Sequence, residues 1–192
     1  LAGVLPAGLA GRDAIAAIKG RLYASCCLPE GAKWRPRGLR LLDHELHRQI
    51  LADGGQVERS PGQHLAILQD LLDIRALLAA ADCDAPASLH AAISGMTPVL
   101  RLLQHGDGGL ALFNHSDEGE ALHIDLTLQR CANRQRPLMT APETGFQRLQ
   151  AGRSLVLVDA GPPPPSGYDD KAHAGTLSFE FSIGRERLIV NC

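Results

Sequence analysis

No charge of either sign dominates this sequence: 19 lysines and arginines stand against 21 aspartates and glutamates, a formal net charge of −2. Bulk electrostatics therefore give no reason to expect a nucleic-acid or membrane-surface protein. No apolar run approaches the roughly 18–20 residues of a bilayer-spanning helix. Several enzyme signatures are missing too. Gly106 to Gly109 is glycine-rich but lacks the lysine and the strand–turn–helix setting of a phosphate-binding loop. Neither a G-x-S-x-G elbow nor an H-E-x-x-H helix occurs. The five cysteines, at positions 26, 27, 83, 131 and 192, show no C-x-x-C or zinc spacing, and an odd number leaves no complete disulfide framework. They are expected as buried free thiols.

What the chain does have is apolar material, 45% of its 192 residues, enough for one sizeable core or two small ones. It begins at Leu1 rather than Met and stops at Cys192 within an apparent strand, which reads as a piece of a longer protein whose leader, if any, lies elsewhere.

The first hundred residues carry helical periodicity. Asp13 to Cys27 is rich in Ala, Ile and Leu, and Leu39, Leu42, Leu46 and Ile50 form an amphipathic stripe. Asp53-Gly54-Gly55 breaks that pattern. Ser60-Pro61 then supplies an N-cap and a first-turn proline for a helix apolar on more than one side. Another helix opens at Pro86-Ala87 and ends at the His105 to Gly109 glycine cluster.

Beyond Gly109 the period changes. Leu110 to Phe113 reads as a short strand and Ser154 to Ala160 as a stronger one. Gly119 to Asn133 fits strand and helix spacing, with a connecting helix favoured. Four prolines, Pro162 to Pro165, make a stiff loop that cannot join a ladder; a polyproline ligand is the alternative. Leu177, Phe179, Phe181 and Ile183 alternate with Ser178, Glu180 and Ser182, the pattern of a strand with one buried face, and Gly184 turns it into Ile189-Val190. Helices followed by antiparallel strands give an α+β protein of two domains, residues 1–106 and 107–192.

The segment His173-Ala174-Gly175-Thr176-Leu177-Ser178-Phe179-Glu180, with Asn191 at the end of the return strand, resembles the start of the β-domain of the heparinase II/III-like polysaccharide lyases, a family segment of the form H-x-H-A-D-x-L-S-F-E. Asp53-Gly54-Gly55, Glu58-Arg59-Ser60-Pro61 and His64 resemble the family's toroid segment, built on D-G, E-x-S-P and Y-H. The resemblance covers most of the chain. It implies the C-terminal part of an incomplete (α/α) toroid followed by the first strands of an antiparallel β-sandwich. It also implies a carbon–oxygen lyase that cleaves an acidic, uronic-acid-containing polysaccharide by β-elimination, in a bacterial periplasmic or secreted setting.

Such a reaction removes a proton beside a carboxylate and expels the glycosidic oxygen from the next carbon. It needs a group that neutralises the carboxylate, a base and an acid. In the family an asparagine, a tyrosine and a histidine do this work, often beside a metal. Here His173 matches the family's second histidine, and Lys171 stands at the first. Gln63 occupies the tyrosine position; glutamine hydrogen-bonds a sugar but transfers no proton at neutral pH. The asparagine falls near Gly11-Arg12-Asp13, where Arg12 can pair with a carboxylate bidentately.

The resemblance thus assigns His173, Gln63 and His64 to catalysis and Glu58, Arg59 and Lys171 to substrate binding. His173 and Asn191 would hold a divalent metal, zinc or calcium, at the β-domain; asparagine is a poorer ligand than the family's aspartate. Each has a structural alternative: a strand cap for His173, a helix-turn contact for His64, a salt bridge for Glu58 and Arg59, a loop lysine for Lys171 and a strand-end hydrogen bond for Asn191. Two other readings therefore stand beside the lyase. One is a catalytically degenerate carbohydrate-binding or scaffold protein of the same fold; the other is an unrelated helical domain with a β-sandwich interaction module.

Overall fold

The computed structural model describes residues 8–131, 135–169, 172, 175 and 177–191. Five α-helices come first: α1 (Gly11–Cys27), α2 (Arg35–Gln49), α3 (Pro61–Ala80), α4 (Ala87–Leu102) and α5 (Ala121–Arg130). A five-stranded antiparallel meander follows: β1 (Thr140–Ala141), β2 (Phe146–Ala151), β3 (Ser154–Asp159), β4 (Phe179–Ile183) and β5 (Glu186–Ile189).

Helix α3 is the centre of the helical layer because it is apolar on more than one side. Ile67, Leu68, Leu71, Leu72, Ile74 and Leu78 are buried, and α1, α4 and α5 pack against it. Pro61 starts it as the sequence leads one to expect, but the Ser60 hydroxyl makes no capping bond. The α2 stripe also behaves as read: Leu42 and Leu46 are buried, with Leu39 and Ile50 packed on the same core. The ambiguous 119–133 stretch contains the connecting helix α5. Its Ile124 and Leu128, together with Leu110 and Cys131, belong to the helical core, so the helical layer continues past the glycine cluster.

A second core joins the end of α4 to the sheet. Val99, Leu102, Leu103, Ala111, Phe113, Phe146, Leu155 and Leu157 meet there, and the Phe113 and Phe146 rings stack at 5.7 Å.

Three sequence expectations need correction. Leu110 to Phe113 forms no strand; its ladder contact is one isolated bridge, Gln104 to Leu110. Of the described cysteines only Cys131 is buried, and Cys27 is exposed, although all four are free. The third concerns the hairpin, where the alternation holds and the faces are reversed. Glu180 and Ser182 are buried, whereas Phe179 and Ile183 are exposed. The polar pair faces the helical layer, where His105 and the Leu112 N–H await it. The apolar set lies on the outer face, in register with a row running Leu149, Val156, Phe181, Ile189 across four strands.

Candidate functional site

The site is built where three loops meet the start of α1. Gly11, the first residue of α1, has φ of 54° and lies so close to the Glu58 carboxylate that a Cβ there would collide with it. Glycine is therefore required for this approach. Glu58 Oε1 accepts the Arg12 N–H at 3.3 Å and the Gln56 side-chain amide at 3.2 Å, which fixes the carboxylate at the helix entrance. Gln49, at the end of α2, donates to the Gly11 carbonyl at 3.0 Å and to Glu45 at 2.9 Å, tying α2 to the same corner.

Around this corner lies a polar cleft of about 200 Å³ lined by residues 8–13, Glu58, Gln63, Gly167 and Tyr168. The Arg12 side chain is 49% exposed and its Nε sits 3.6 Å from Asp70, so the guanidinium is steered by a carboxylate while remaining open to a ligand. Gln63 Oε1 and the Tyr168 hydroxyl are both out of water contact and lack a hydrogen-bond partner among the described residues. In native proteins such atoms are few, and each calls for an explanation.

The cleft thus gathers Glu58 and Gln63 from the sequence-derived set, and Arg12 from the segment aligned with the family asparagine. It does not gather Arg59 or His64. Arg59 adopts φ of 56° and is 5% exposed. Its guanidinium donates to the Thr144 carbonyl at 2.7 Å, to the Pro162 carbonyl and to the Asp159 carboxylate, and lies over the Phe146 ring. All of these partners belong to the sheet and its loops, so Arg59 clamps the two layers together instead of facing a substrate. His64 is 2% exposed and bonds the Met96 carbonyl at 2.9 Å; burial pushes its pKa down to about 4. It is a neutral interior group in this structure, a packing role.

Lys171 and His173 lie outside the described residues. Asn191 donates its main-chain N–H to Glu180 at 3.2 Å, the strand-end hydrogen bond. Among the described residues no three His, Cys, Asp or Glu side chains converge on a point where a metal could sit. Tyr168 was not singled out in the sequence, although a signal existed. The chain has only two tyrosines, and with Gln63 at the phenol position either was a candidate substitute.

Two family descriptions together match residues 10–192: the heparinase II/III N-terminus over residues 10–132 and the heparinase II/III-like C-terminal domain over residues 133–192. The chain belongs to the heparinase II/III-like family. Its helices are a segment of that family's toroid and its meander the first strands of the β-sandwich, an α+β arrangement. The crystal structure of heparinase III superposes with a TM-score of 0.85 at 16% identity, covering 96% of this chain and 35% of that one. A heparan sulfate lyase from Pedobacter heparinus superposes with a TM-score of 0.73 at 20% identity, over 92% of this chain and 32% of that one. In sequence, FtsZ-localized protein C of Caulobacter vibrioides is 31% identical over 154 residues, 80% of this chain and 27% of that protein. The chain thus spans about a third or less of each of these relatives.

Proposed function

We propose that this heparinase II/III-like chain carries part of the substrate cleft of a lyase that cleaves an acidic, uronic-acid-containing polysaccharide by β-elimination. The observation that carries the reading is the half-open Arg12 guanidinium beside Gln63 and Glu58 in one polar cleft. A uronate carboxylate placed against Arg12 is neutralised, which offsets the charge that builds when the neighbouring carbon loses its proton. The Gln63 amide supplies donors and an acceptor for the sugar hydroxyls. His173 serves as the base and Lys171 as a second cation, and a periplasmic or secreted site accompanies this chemistry.

Incubation of the full-length protein with heparin, heparan sulfate, alginate and glucuronan tests the reading. The ultraviolet absorbance of the unsaturated uronate is expected to rise on at least one polymer and to stay flat with His173→Ala. A flat trace for the unmutated protein on every polymer would overturn it.

A second reading, a scaffold of the same fold, is favoured by two observations: the 31% identity to FtsZ-localized protein C, and four free cysteines among the described residues, one of them exposed. Free thiols are the habit of a reducing compartment. A flat absorbance trace together with a tagged protein that follows FtsZ in cells would establish it.

A further inference from the structure

We infer that Arg148, Arg153 and Arg185 form a second binding site, for a tetrahedral oxyanion of the sulfate or phosphate class, at the far end of the sheet. This site stands whether or not elimination occurs in the other cleft. The three arginines and Gln150 line a space of about 420 Å³ where the β2–β3 and β4–β5 turns meet the loop after α4. Strand β3 leaves this end at Ser154 and reaches Asp159, the partner of Arg59, about 16 Å away at the usual strand rise. The space shares no lining residue with the cleft at the start of α1.

Among the described residues no carboxylate lines this space. Asp107, beside Gly106, is held by Arg187 at 2.7 and 3.1 Å, and Glu180 by His105 at 2.7 Å. Glu186, next to Arg185, stands in register with the outward Ile183. Three permanent positive charges thus share one space without a counter-charge. Arg148 is the buried member, 8% exposed. Its Nη1 donates to the Leu102 carbonyl at 3.0 Å and the Gln104 carbonyl at 2.7 Å, while Nη2 meets Gln150 Oε1 only at 3.4 Å. Carbonyls at a helix end supply only partial negative charge, and burial lowers the Arg148 pKa. A buried charge is costly unless it is paired. Arg59 and Arg187, at the same junction of layers, have Asp159 and Asp107 for that purpose; Arg148 is left for a ligand to complete.

The backbone brings the three arginines together. A Cβ on Gly106 would collide with the Gly184 carbonyl, so glycine is what lets the loop after α4 close on the β4–β5 turn. Gly184 takes φ of 61°, and the Arg153 guanidinium lies across it, 2.7 Å from where a Cβ would stand. The Gly184 N–H bonds the Arg153 carbonyl at 2.8 Å, which holds the two turns side by side. Arg153 and Arg185 are exposed and can meet a ligand from solvent. Each guanidinium offers a planar fork that matches two oxygens of a sulfate or phosphate group, and a tetrahedral anion has oxygens enough for several such forks.

The test is calorimetric titration of the full-length protein, at fixed ionic strength, with glucose 6-sulfate, glucose 6-phosphate and glucose. The variants are Arg153→Gln, Arg185→Gln and the two combined, with Arg37→Gln, an exposed arginine of α2 outside both spaces, as the control for lost charge. Arg148, which ties α4 to the sheet, is left intact, and exposed substitutions of this kind leave the fold in place. At least one ester is expected to bind saturably and glucose not at all. Each single variant should weaken that binding at least about threefold and the double at least about tenfold, with Arg37→Gln within about 1.5-fold. Tighter binding of the sulfate ester supports the site and names a sulfated saccharide as its ligand; tighter binding of the phosphate ester supports it and names a phosphate monoester. Absence of saturable binding by both esters overturns the assignment. Binding that survives the double variant overturns it as well, and so does an equal loss in Arg37→Gln, which would mark a bulk charge effect.

Discussion

The imidazole of His105 and the carboxylate of Glu180 meet at 2.7 Å with both side chains fully withdrawn from solvent. The other ring nitrogen reaches Ser182 at 2.9 Å, and Glu180 also accepts the Leu112 N–H at 2.7 Å. This contact joins the end of α4 to the inner face of β4 and is the reason that face is polar. Because every polar atom in it depends on another, removing one partner strands a buried group. His105→Ala and Glu180→Ala are each expected to destabilise the protein by about 3–5 kcal/mol. In a double-mutant cycle followed by urea unfolding, the combined loss should fall short of the sum by more than about 1 kcal/mol. Additive costs would mean that the two groups do not act on each other.

Arg59 gives a prediction of another kind. The lysine ammonium lacks the planar fork that reaches Thr144, Pro162 and Asp159 from one side chain. Arg59→Lys should cost about 2–4 kcal/mol in denaturant unfolding, yet leave polysaccharide affinity unchanged in the folded fraction. A loss of affinity without loss of stability would restore Arg59 to the substrate.

His64 makes stability depend on pH. Its folded pKa, about 4, lies below the ordinary 6.5, because burial disfavours the charged ring. Between these values the unfolded chain binds a proton that the folded protein refuses, so stability rises with pH and is lost as pH falls from 6.5 towards 4. The loss attributable to this group is about 3 kcal/mol. His64→Gln keeps a donor for the Met96 carbonyl and should abolish that part of the slope in urea melts taken across the range. An unchanged slope would place the proton uptake elsewhere.

How much of this was legible in the sequence varies by element, for physical reasons. Helices α2 and α3 declare themselves through the spacing of their leucines and through Pro61, since helix packing is written in local periodicity. The β4 hairpin declares its alternation but not its orientation. Burial of Glu180 and Ser182 depends on His105, 75 and 77 positions away in sequence, and no local pattern carries that pairing. The same holds at the site. Glu58 and Gln63 sit in a recognisable segment, so they could be proposed together. Arg59 and His64 share that segment, yet helix rotation and a strained φ turn them inward. Tyr168 reaches the cleft across a proline loop about a hundred residues downstream, and only the fold makes it a neighbour of Gln63.

The most direct measurement is a calorimetric titration of the full-length protein with a size-defined uronic-acid oligosaccharide, comparing the unmutated protein with Arg12→Glu. If the cleft at the start of α1 holds the uronate, the unmutated protein binds saturably. Reversing the Arg12 charge then weakens binding at least about tenfold, since a charge-assisted hydrogen bond is worth about 1.5–3 kcal/mol. Because the new carboxylate faces Asp70, the two affinities are compared at a temperature where both proteins are fully folded. Equal affinity in the two proteins, or none in either, would contradict the assignment of this cleft to an acidic polysaccharide.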